Sequence, residues 1–428
     1  MSTIRINGRN EKIPPYPHHK KFIQYTRQYF FARTPLDHLA LGKMIAARET
    51  WRGIRTRVFV PRMLILDPTS RCNLHCKGCW AADYAGCGNI TLEKLDDILC
   101  QAEQLGIRVC FFTGGEPLLR KDDIIRLCDR HRRMSFGAYT NGTLIDEAFA
   151  DEVARVENLN LFLSIEGWRE DTDFRRGAGV FDQVVRAMDI LRSRGIAFAF
   201  SACYHARNYQ TVASREFLDF LQEKGCWFGW LFQYVPVGKD ADPALACTPA
   251  QREQVLAQID EYSRRTGLML IDFWNNGHLA FGCIGAGSGF VHINANGDVE
   301  PCAFCHYSDS NIYEKSLAEA LQSPFFRRFR QAQPFSENPL SGCPLMNRPD
   351  TLAGIVRDTG ARSTHLGAAE TVEMLAAKTM PLAQAWQPTA DRLYAGYSAA
   401  QRRNFRMFLN YFAFRKRFTD RDIPKTDR

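Results

Sequence analysis

A regular alternation of short apolar runs and amphipathic segments between residues 63 and 265 is the feature that most constrains how this 428-residue chain can fold. Six runs of strand length predict β-strands at 63–66, 109–112, 135–139, 159–165, 197–204 and 227–235. Each run is followed by a segment of helical periodicity, and these segments predict helices at 91–105, 122–132, 144–155, 180–194, 210–223 and 249–265. Apolar strands that alternate with helices pair in parallel through right-handed crossovers. The pattern therefore predicts an α/β fold with an open sheet or a partial (β/α)6 barrel, whose chemistry lies at the C-terminal ends of the strands.

The same pattern divides the chain into four regions. They are a basic helical N-terminal extension (1–62), the alternating α/β region (63–278), a small Cys-rich α+β region (279–350) and a helical, basic C-terminal region (351–428). Within the first region, segments 21–31 and 35–50 predict amphipathic helices, and within the third, residues 290–293 predict a short strand.

Charge is distributed unevenly along the chain. The net charge is +8, yet residues 1–62 hold 13 Lys/Arg against three acids, and residues 401–428 hold nine Lys/Arg against three acids. Basic terminal segments on either side of an acidic middle region indicate either contact with an anionic partner or two solvated tails. Segment 402–418 interleaves aromatic residues with cations, which is typical of a helix that packs by its aromatic face or lies on an anionic membrane. No RNA-binding motif accompanies it, so nucleic acid ranks last among these partners.

Cysteine usage depends on the compartment. No apolar run of about 18 residues predicts a membrane span, and residues 1–5 lack the apolar core of a secretory signal. We therefore expect a cytoplasmic protein, with peripheral contact at the inner membrane face if segment 402–418 binds lipid. In a reducing cytosol, the 14 cysteines are metal ligands, catalytic thiols or core residues rather than disulfides.

The first cysteine group directly follows the first predicted strand. Cys72, Cys76 and Cys79 stand four and three residues apart in one loop. Thiolates at this spacing suit an iron–sulfur cube, and three ligands leave the fourth iron open to an exogenous ligand. A zinc site completed by Cys87 or His75 is the alternative.

A second group, Cys283, Cys302, Cys305 and Cys343, lies in the Cys-rich region. Asn296-Gly297 predicts a hairpin that brings Cys283 and Cys302 together. Four thiolates complete a closed site, for an iron–sulfur cluster or for a structural zinc ion. His292 and His306 are alternative ligands for which a core or surface role is also open. The remaining cysteines predict core positions, apart from Cys87, which is the one candidate for a catalytic role.

The first group and the turn Gly114-Gly115-Glu116-Pro117 after the second strand together resemble the radical S-adenosylmethionine (SAM) superfamily. The resemblance implies that the open iron binds the SAM amino and carboxylate groups and that this turn holds the amino group. It also implies SAM contacts for Ser164 and Glu166 after the fourth strand and for Asn208 after the fifth. Many members carry an aromatic residue before the third cysteine, whereas this chain has Gly78 there and Trp80 after it.

The second group resembles the SPASM/Twitch-type extension of radical SAM enzymes, through its Gly-Asp-Val-x-Pro-Cys strand and the later Ser323-Pro324-Phe325-Phe326. A full SPASM domain holds two clusters with about seven cysteines or more, and four cysteines predict one auxiliary [4Fe–4S] cluster.

This resemblance implies an enzyme that reductively cleaves SAM to a 5′-deoxyadenosyl radical and abstracts hydrogen from a substrate carbon. An electron donor such as flavodoxin or ferredoxin is then required. A peptide or protein is the expected substrate, and a membrane lipid or isoprenoid is the alternative. A non-catalytic iron–sulfur or zinc scaffold is a further alternative, although a scaffold needs no SAM-binding turn.

Overall fold

The computed structural model describes residues 3–6, 9–12, 47, 50–82, 88–238, 240–275, 282–365 and 370–420. Its strands are β1 (Thr3–Ile6), β2 (Arg9–Lys12), β3 (Met63–Leu66), β4 (Val109–Phe112), β5 (Ser135–Thr140), β6 (Leu159–Ser164), β7 (Phe198–Tyr204), β8 (Cys226–Gln233), β9 (Met269–Asp272), β10 (Phe290–Ile293), β11 (Val299–Glu300), β12 (Tyr307–Ser308) and β13 (Arg362–Ser363).

The helices connect and cover these strands. They are α1 (Leu92–Leu105), α2 (Lys121–Arg130), α3 (Glu147–Val156), α4 (Arg169–Arg176), α5 (Val180–Ser193), α6 (Tyr209–Val212), α7 (Arg215–Glu223), α8 (Pro249–Thr266), α9 (Leu317–Ala320), α10 (Pro324–Ala332), α11 (Pro344–Asn347), α12 (Pro349–Thr359), α13 (Val372–Ala395) and α14 (Ala399–Thr419). Residues 50–56 are also helical. Short 3₁₀ turns lie at Pro117–Arg120, Pro243–Leu245 and Pro339–Ser341.

One sheet of nine described strands forms the centre of the molecule, in the order β11-β10-β3-β4-β5-β6-β7-β8-β9. From β10 to β9 all neighbours are parallel, and only β11 pairs antiparallel. The order has two ends, so the described strands make an open, barrel-like sheet. The six strands and alternating helices predicted from the sequence are confirmed, which places the fold in the α/β class.

Helix boundaries follow local chemistry. Thr91 caps α1 by accepting a hydrogen bond from Lys94 N at 3.2 Å. The predicted helix 210–223 is instead two helices, because Ser214 accepts a hydrogen bond from Phe217 N at 3.3 Å and starts a new N-terminus. Side chains from α1 to α7 bury one face of the sheet in a continuous apolar core.

The opposite face of the sheet forms a second, mainly aromatic core. It holds Val109, Phe111, Phe162, Ala199, Phe228 and Ile271, from strands β4, β6, β7, β8 and β9. Side chains alternate along a strand, so Cys110 and Phe112 point to the helices while Phe111 points to this interior.

Three strands, β9, β10 and β11, extend the sheet beyond the six-strand prediction. β10, the predicted strand at 290–293, pairs in parallel with β3, matching Phe290 with Met63 and Ile293 with Leu66. β9 was not predicted and pairs in parallel with β8. Through β10, the Cys-rich region is continuous with the sheet.

The N-terminal region differs from its description by sequence. β1 and β2 form an antiparallel hairpin that pairs Thr3 with Lys12, where no strand was predicted. The predicted helix 21–31 and nearly all of 35–50 lie outside the described residues.

The C-terminal helix α14 packs along one side. Phe405, Phe412 and Arg415 are buried, and Arg415 donates a hydrogen bond to Val60 O at 2.9 Å. Arg330 and Asp420 form a buried ion pair at 2.9 Å beside it. Among the described helices, none has the length and apolar character needed to span a membrane.

Candidate functional site

A cavity of about 220 Å³ lies at the C-terminal ends of the strands and continues into the aromatic interior. Its lining includes the first three cysteines, the Gly-Gly-Glu turn and residues Ile284, Ala303 and Phe304 of the Cys-rich region. The two regions that the sequence distinguished therefore enclose one space.

Cys72, Cys76 and Cys79 all line this cavity, as the loop position after β3 predicted. Backbone hydrogen bonds fix their loop: Gly115 N donates to Thr69 O at 3.0 Å, and Glu116 N donates to Arg71 O at 2.9 Å. Burial raises the pKa of the Cys72 thiol to about 12. Metal ligation needs thiolates, so a bound metal would displace the protons that these thiols otherwise hold.

Glycine is required where the turn meets the cysteine loop. A side-chain Cβ at Gly115 would lie 2.0 Å from Arg71 O, and Gly114 has φ +99°. Only residues without a Cβ allow this approach of the two loops, which places Glu116 next to the cysteines.

Glu116 is buried, and its carboxylate accepts three hydrogen bonds. Oε1 accepts from Leu118 N at 3.0 Å and from the Thr140 hydroxyl at 2.7 Å, while Oε2 accepts from Asn141 N at 2.7 Å. Burial raises its pKa, and these hydrogen bonds oppose the rise. Within the described residues, Oε2 has one protein donor, so it can accept another from a ligand amino group.

Of the four other residues predicted to contact SAM, only Ser164 lines the cavity. Pro117 is buried and begins the 3₁₀ turn, and Ser164 lines the cavity. Glu166 and Asn208 are not in the lining; Asn208 instead donates to Glu166 O at 2.8 Å and accepts from His205 N at 2.7 Å. Direct contact of these four residues with SAM stays a prediction.

Two arginines of α4, the buried Arg175 and the half-buried Arg176, stand between Glu166 and the cavity. Arg175 donates to Glu166 Oε1 at 2.8 Å, and Arg176 donates to the same oxygen at 2.6 Å. Burial raises the pKa of Glu166, but the two guanidinium groups outweigh it and hold the pKa below its usual value. Both guanidinium groups also lie within electrostatic reach of Cys76, so they offset negative charge on the cysteine loop.

The four later cysteines converge at the other side of the cavity wall. Cys302 and Cys305 follow the hairpin β10–β11, with Cys305 N donating to Cys302 O at 3.0 Å. The loop carrying Cys343 touches the loop carrying Cys283, since a Cβ at Gly342 would lie 2.8 Å from Gly282 Cα. All four thiols are close enough to raise one another's pKa. The predicted hairpin is thus confirmed, and it assembles the group.

Neither histidine considered as an alternative ligand has a nitrogen turned to the cysteines. His306 Nδ1 meets His365 Nε2 at 2.9 Å, and its Nε2 meets Ala303 O at 3.0 Å. His292 lies between Asp67 at 3.0 Å and Glu300 at 2.6 Å. Burial lowers the pKa of His292, but these carboxylates overcome it and raise the pKa to about 10.

The Asp67–His292–Glu300 triad connects the two cysteine regions and was missed from sequence. Asp67 directly follows β3 and precedes the first cysteine group, whereas Glu300 stands two residues before Cys302. No local pattern joins residues that are more than 200 positions apart, so only the pairing of β10 with β3 brings them together.

The remaining cysteines separate into four cases. Cys100 and Cys247 are half-buried, whereas core positions were predicted. Cys110, Cys128 and Cys226 are buried, as predicted for core residues. Cys203 lines the cavity, and burial raises its pKa to about 11. Cys87, the catalytic candidate, lies outside the described residues, so its role stays a prediction.

Gly78 and Tyr234 explain the departure from the usual aromatic residue before the third cysteine. The Tyr234 side chain occupies the space beside Gly78 and lines the cavity. Trp80, after the cysteine, instead contacts His292 and Phe304, at 5.9 and 5.7 Å between ring centroids.

Two solved structures superpose on most of this chain. SuiB of Streptococcus suis superposes with a TM-score of 0.56 over 76% of this chain and 86% of its own, at 17% identity. AnSMEcpe with bound AdoMet superposes with a TM-score of 0.55 over 78% of this chain and 99% of its own, at 18% identity. At these identities the likeness establishes the fold.

Two sequence relatives align with this chain over most of their own length. The AdoMet-dependent heme synthase of Methanosarcina barkeri is 25% identical over 305 residues, which is 64% of this chain and 86% of that protein. The PqqA peptide cyclase of Granulibacter bethesdensis is 26% identical over 299 residues, 63% of this chain and 76% of that protein.

Family profiles match both cysteine regions. The radical SAM superfamily profile matches residues 66–220, and the SPASM iron-sulfur cluster-binding profile matches residues 283–344. These matches make SAM, a [4Fe–4S] cluster and auxiliary iron–sulfur the cofactors, and the thiols that surround the cavity fit such groups. The chain therefore belongs to the radical SAM superfamily, as an enzyme with a SPASM auxiliary-cluster domain behind its catalytic sheet.

Proposed function

We propose that this enzyme abstracts hydrogen from the hydrocarbon part of a lipid or isoprenoid. The observation that carries the proposal is the composition of the cavity wall. Its apolar side chains include Met63, Ile65, Phe111, Tyr139, Trp230, Phe232, Phe273, Ile284, Phe290 and Phe304. Its three charged side chains among the described residues are Glu116, Arg175 and Arg176, which lie at the cysteine end. Polar side chains also line it, at Thr113, Asn141, Ser164, Ser201 and Gln233. The larger, apolar part of the wall favours an apolar chain, because peptide groups buried against it would find few partners.

The shape of the wall supports an elongated substrate. Met63 and Ile65 both line the cavity and belong to β3, whose last residue precedes the cysteine loop by a few positions. A strand advances about 3.3 Å per residue, so the apolar wall extends about 10 Å along β3 toward its first residue. Phe290, paired with Met63, marks the same end.

Residues around the cysteines have roles that follow from their contacts. When bound, SAM and its cluster supply hydrogen abstraction by a 5′-deoxyadenosyl radical. Cys72, Cys76 and Cys79 would hold that cluster, and Cys283, Cys302, Cys305 and Cys343 the auxiliary one. Glu116 would accept a hydrogen bond from the SAM amino group through Oε2, and the aromatic wall would exclude water.

Two other substrate classes are suggested by relatives. The peptide or protein predicted from the sequence is supported by the PqqA peptide cyclase relative and by the fold shared with SuiB, whose structure is also known bound to the precursor peptide SuiA. A tetrapyrrole is suggested by the heme synthase relative.

Isotope transfer distinguishes these classes. The reconstituted, reduced enzyme would be given SAM with a chain-deuterated phospholipid in micelles, a deuterated peptide pool or a deuterated porphyrin. Deuterium in 5′-deoxyadenosine from the lipid alone supports the proposal, whereas transfer from the peptide or the porphyrin overturns it. Iron should fall from about eight to about four per chain in Cys72→Ala/Cys76→Ala/Cys79→Ala, and that variant should form no 5′-deoxyadenosine.

A cavity variant tests the apolar wall itself. Met63→Arg places a charge at the far end of the wall, away from the cysteines. We expect it to keep its iron and to cleave SAM without deuterium transfer, while Met63→Leu transfers deuterium normally. Normal transfer by Met63→Arg would show that the substrate does not use this end.

A further inference from the structure

We infer that the outward face of α14, together with the helical segment 50–56, docks the enzyme on an anionic membrane surface. This outward face consists of Arg403, Arg406, Met407, Asn410, Phe414 and Arg417, all exposed. The proposed lipid chemistry gives the docking a purpose, but the docking can be measured without catalysis.

Helical geometry separates the two sides of α14. Phe405, Phe412, Arg415 and Thr419 are buried and follow one another at intervals of seven, three and four residues, which keeps them on one side of a helix. This side packs on the protein through the Arg415 bond to Val60 O. The two interpretations of segment 402–418, packing on the protein and contact with a membrane, are therefore compatible, because they use opposite sides of one helix.

The outward face combines cations with large apolar side chains. Met407 is 48% exposed and Phe414 is 46% exposed, and they alternate with three arginines. Helix α14 holds six Lys/Arg and no acid. A face that is purely basic would suit any polyanion, whereas exposed apolar side chains among arginines are typical of a helix that lies in the lipid interface.

Segment 50–56 extends this surface. Trp51 is 62% exposed and Ile54 is 49% exposed, and Arg55 stacks on Trp51 at 5.0 Å from the ring centroid. The segment contacts α14 on the helix's packed side, where a Cβ at Gly53 would lie 3.4 Å from Thr419 Cγ2, so the segment lies beside the outward face. Tryptophan and arginine are the residue types that settle at headgroup level.

The surface is placed near one end of the cavity. Segment 58–60, on which α14 packs, leads directly into β3, and Met63 at the start of β3 lines the apolar wall. An enzyme docked by this face would hold that end of the cavity toward the bilayer.

Vesicle flotation with the full-length, reconstituted protein tests the inference. Binding should be on the order of 100-fold stronger to vesicles of phosphatidylcholine with phosphatidylglycerol than to phosphatidylcholine alone, given three arginines. Arg403→Glu/Arg406→Glu should remove the preference. Met407→Asp/Phe414→Asp should weaken binding to both vesicle types. The matched control Arg126→Glu/Arg133→Glu reverses two exposed arginines near α2 and should bind normally.

Three results would overturn the inference. One is failure to bind phosphatidylglycerol vesicles, and another is normal binding by Met407→Asp/Phe414→Asp with circular dichroism and iron content unchanged. The third is displacement by homopolymeric RNA together with insensitivity to the apolar substitutions, which would make the face a general polyanion site. If the protein does not float with vesicles but still transfers deuterium from the lipid, only the docking surface is contradicted. If it floats but transfers no deuterium from the lipid, only the lipid substrate is contradicted.

Discussion

Tyr234 fills the space that a side chain at position 78 would need: a Cβ on Gly78 would lie 2.5 Å from Tyr234 Cε2 and 2.6 Å from its hydroxyl oxygen. Gly78 also has φ +61°, which L-residues adopt at a cost of about 1–2 kcal/mol. The glycine immediately before Cys79 and the tyrosine after β8 therefore depend on each other.

We expect Gly78→Ala to lower the iron bound at the first cysteine group by displacing the loop. Gly78→Ala/Tyr234→Ala should recover part of that iron, because the clash is gone although the backbone strain remains. Gly179→Ala is the matched control, since Gly179 has φ +79° and nothing lies within 4 Å of its Cβ position. Equal iron loss in the single and double variants would show that strain alone is responsible. Iron and sulfide analysis after anaerobic reconstitution measures the effect.

The triad around His292 predicts a pH dependence of stability. The folded-state pKa of His292 is about 10, above the ordinary value of 6.5. The contribution of the protonated His292 to the free energy of unfolding is therefore fully present below about pH 6.5 and is lost as the pH rises through 10. Urea midpoints of the wild type should therefore fall between about pH 7 and about pH 10. His292→Gln should be destabilised by about 3–5 kcal/mol, because it leaves Asp67 and Glu300 buried without a cation.

His75→Gln, at an exposed histidine of the cysteine loop, is the control and should keep the wild-type profile. A His292→Gln protein whose midpoint falls with pH as steeply as the wild type would assign the dependence to other groups.

Much of the fold was accessible from sequence because it rests on local patterns. Six apolar runs gave the strand positions almost to the residue, and cysteine spacing with the Gly-Gly-Glu turn identified the family. The packing of Tyr234 beside Gly78 and the pairing of His292 with Asp67 and Glu300 could not be found this way, since they arise from contacts between distant segments. The split at Ser214 is an intermediate case, because serine is a familiar N-cap that helical periodicity concealed.

The arrangement of cations near the cysteine loop predicts how electrons enter. Lys77 Nζ and the Arg207 guanidinium carbon lie 3.9 and 3.7 Å from the centroid of the Phe174 ring. Both cations are exposed, and Lys77 stands directly after Cys76. This pair would attract an acidic electron carrier of the flavodoxin or ferredoxin class to the cluster.

We expect Lys77→Glu/Arg207→Glu to slow flavodoxin-driven formation of 5′-deoxyadenosine by about tenfold at low salt, with the difference shrinking as salt rises. Dithionite bypasses protein docking, so the dithionite-driven rate should stay unchanged. An equal loss with both reductants would mean that the substitutions damage the cluster site instead.

Trp274 links the aromatic wall to the auxiliary cysteines. Its ring lies 5.2 Å from Phe304 and 6.2 Å from Phe232, which both line the cavity. Burial raises the pKa of the Cys343 thiol, and N–H groups beside the sulfur, those of the Met346 backbone and the Trp274 side chain among them, oppose the rise by stabilising negative charge. Hydrogen bonds to cluster sulfurs set reduction potentials, because the reduced cluster carries more charge.

Trp274→Phe should therefore shift the auxiliary cluster to a more negative potential by about 50 mV, which corresponds to roughly 1 kcal/mol for one electron. The measurement is a redox titration followed by electron paramagnetic resonance in a Cys72→Ala/Cys76→Ala/Cys79→Ala background, where only the auxiliary cluster contributes. Trp230→Phe is the control, because it removes an indole of the cavity wall. The nitrogen of that indole has no hydrogen-bond partner among the described residues, so the potential should stay unchanged. Equal shifts in the two variants would show that the wall's polarity, rather than the bond to Cys343, sets the potential.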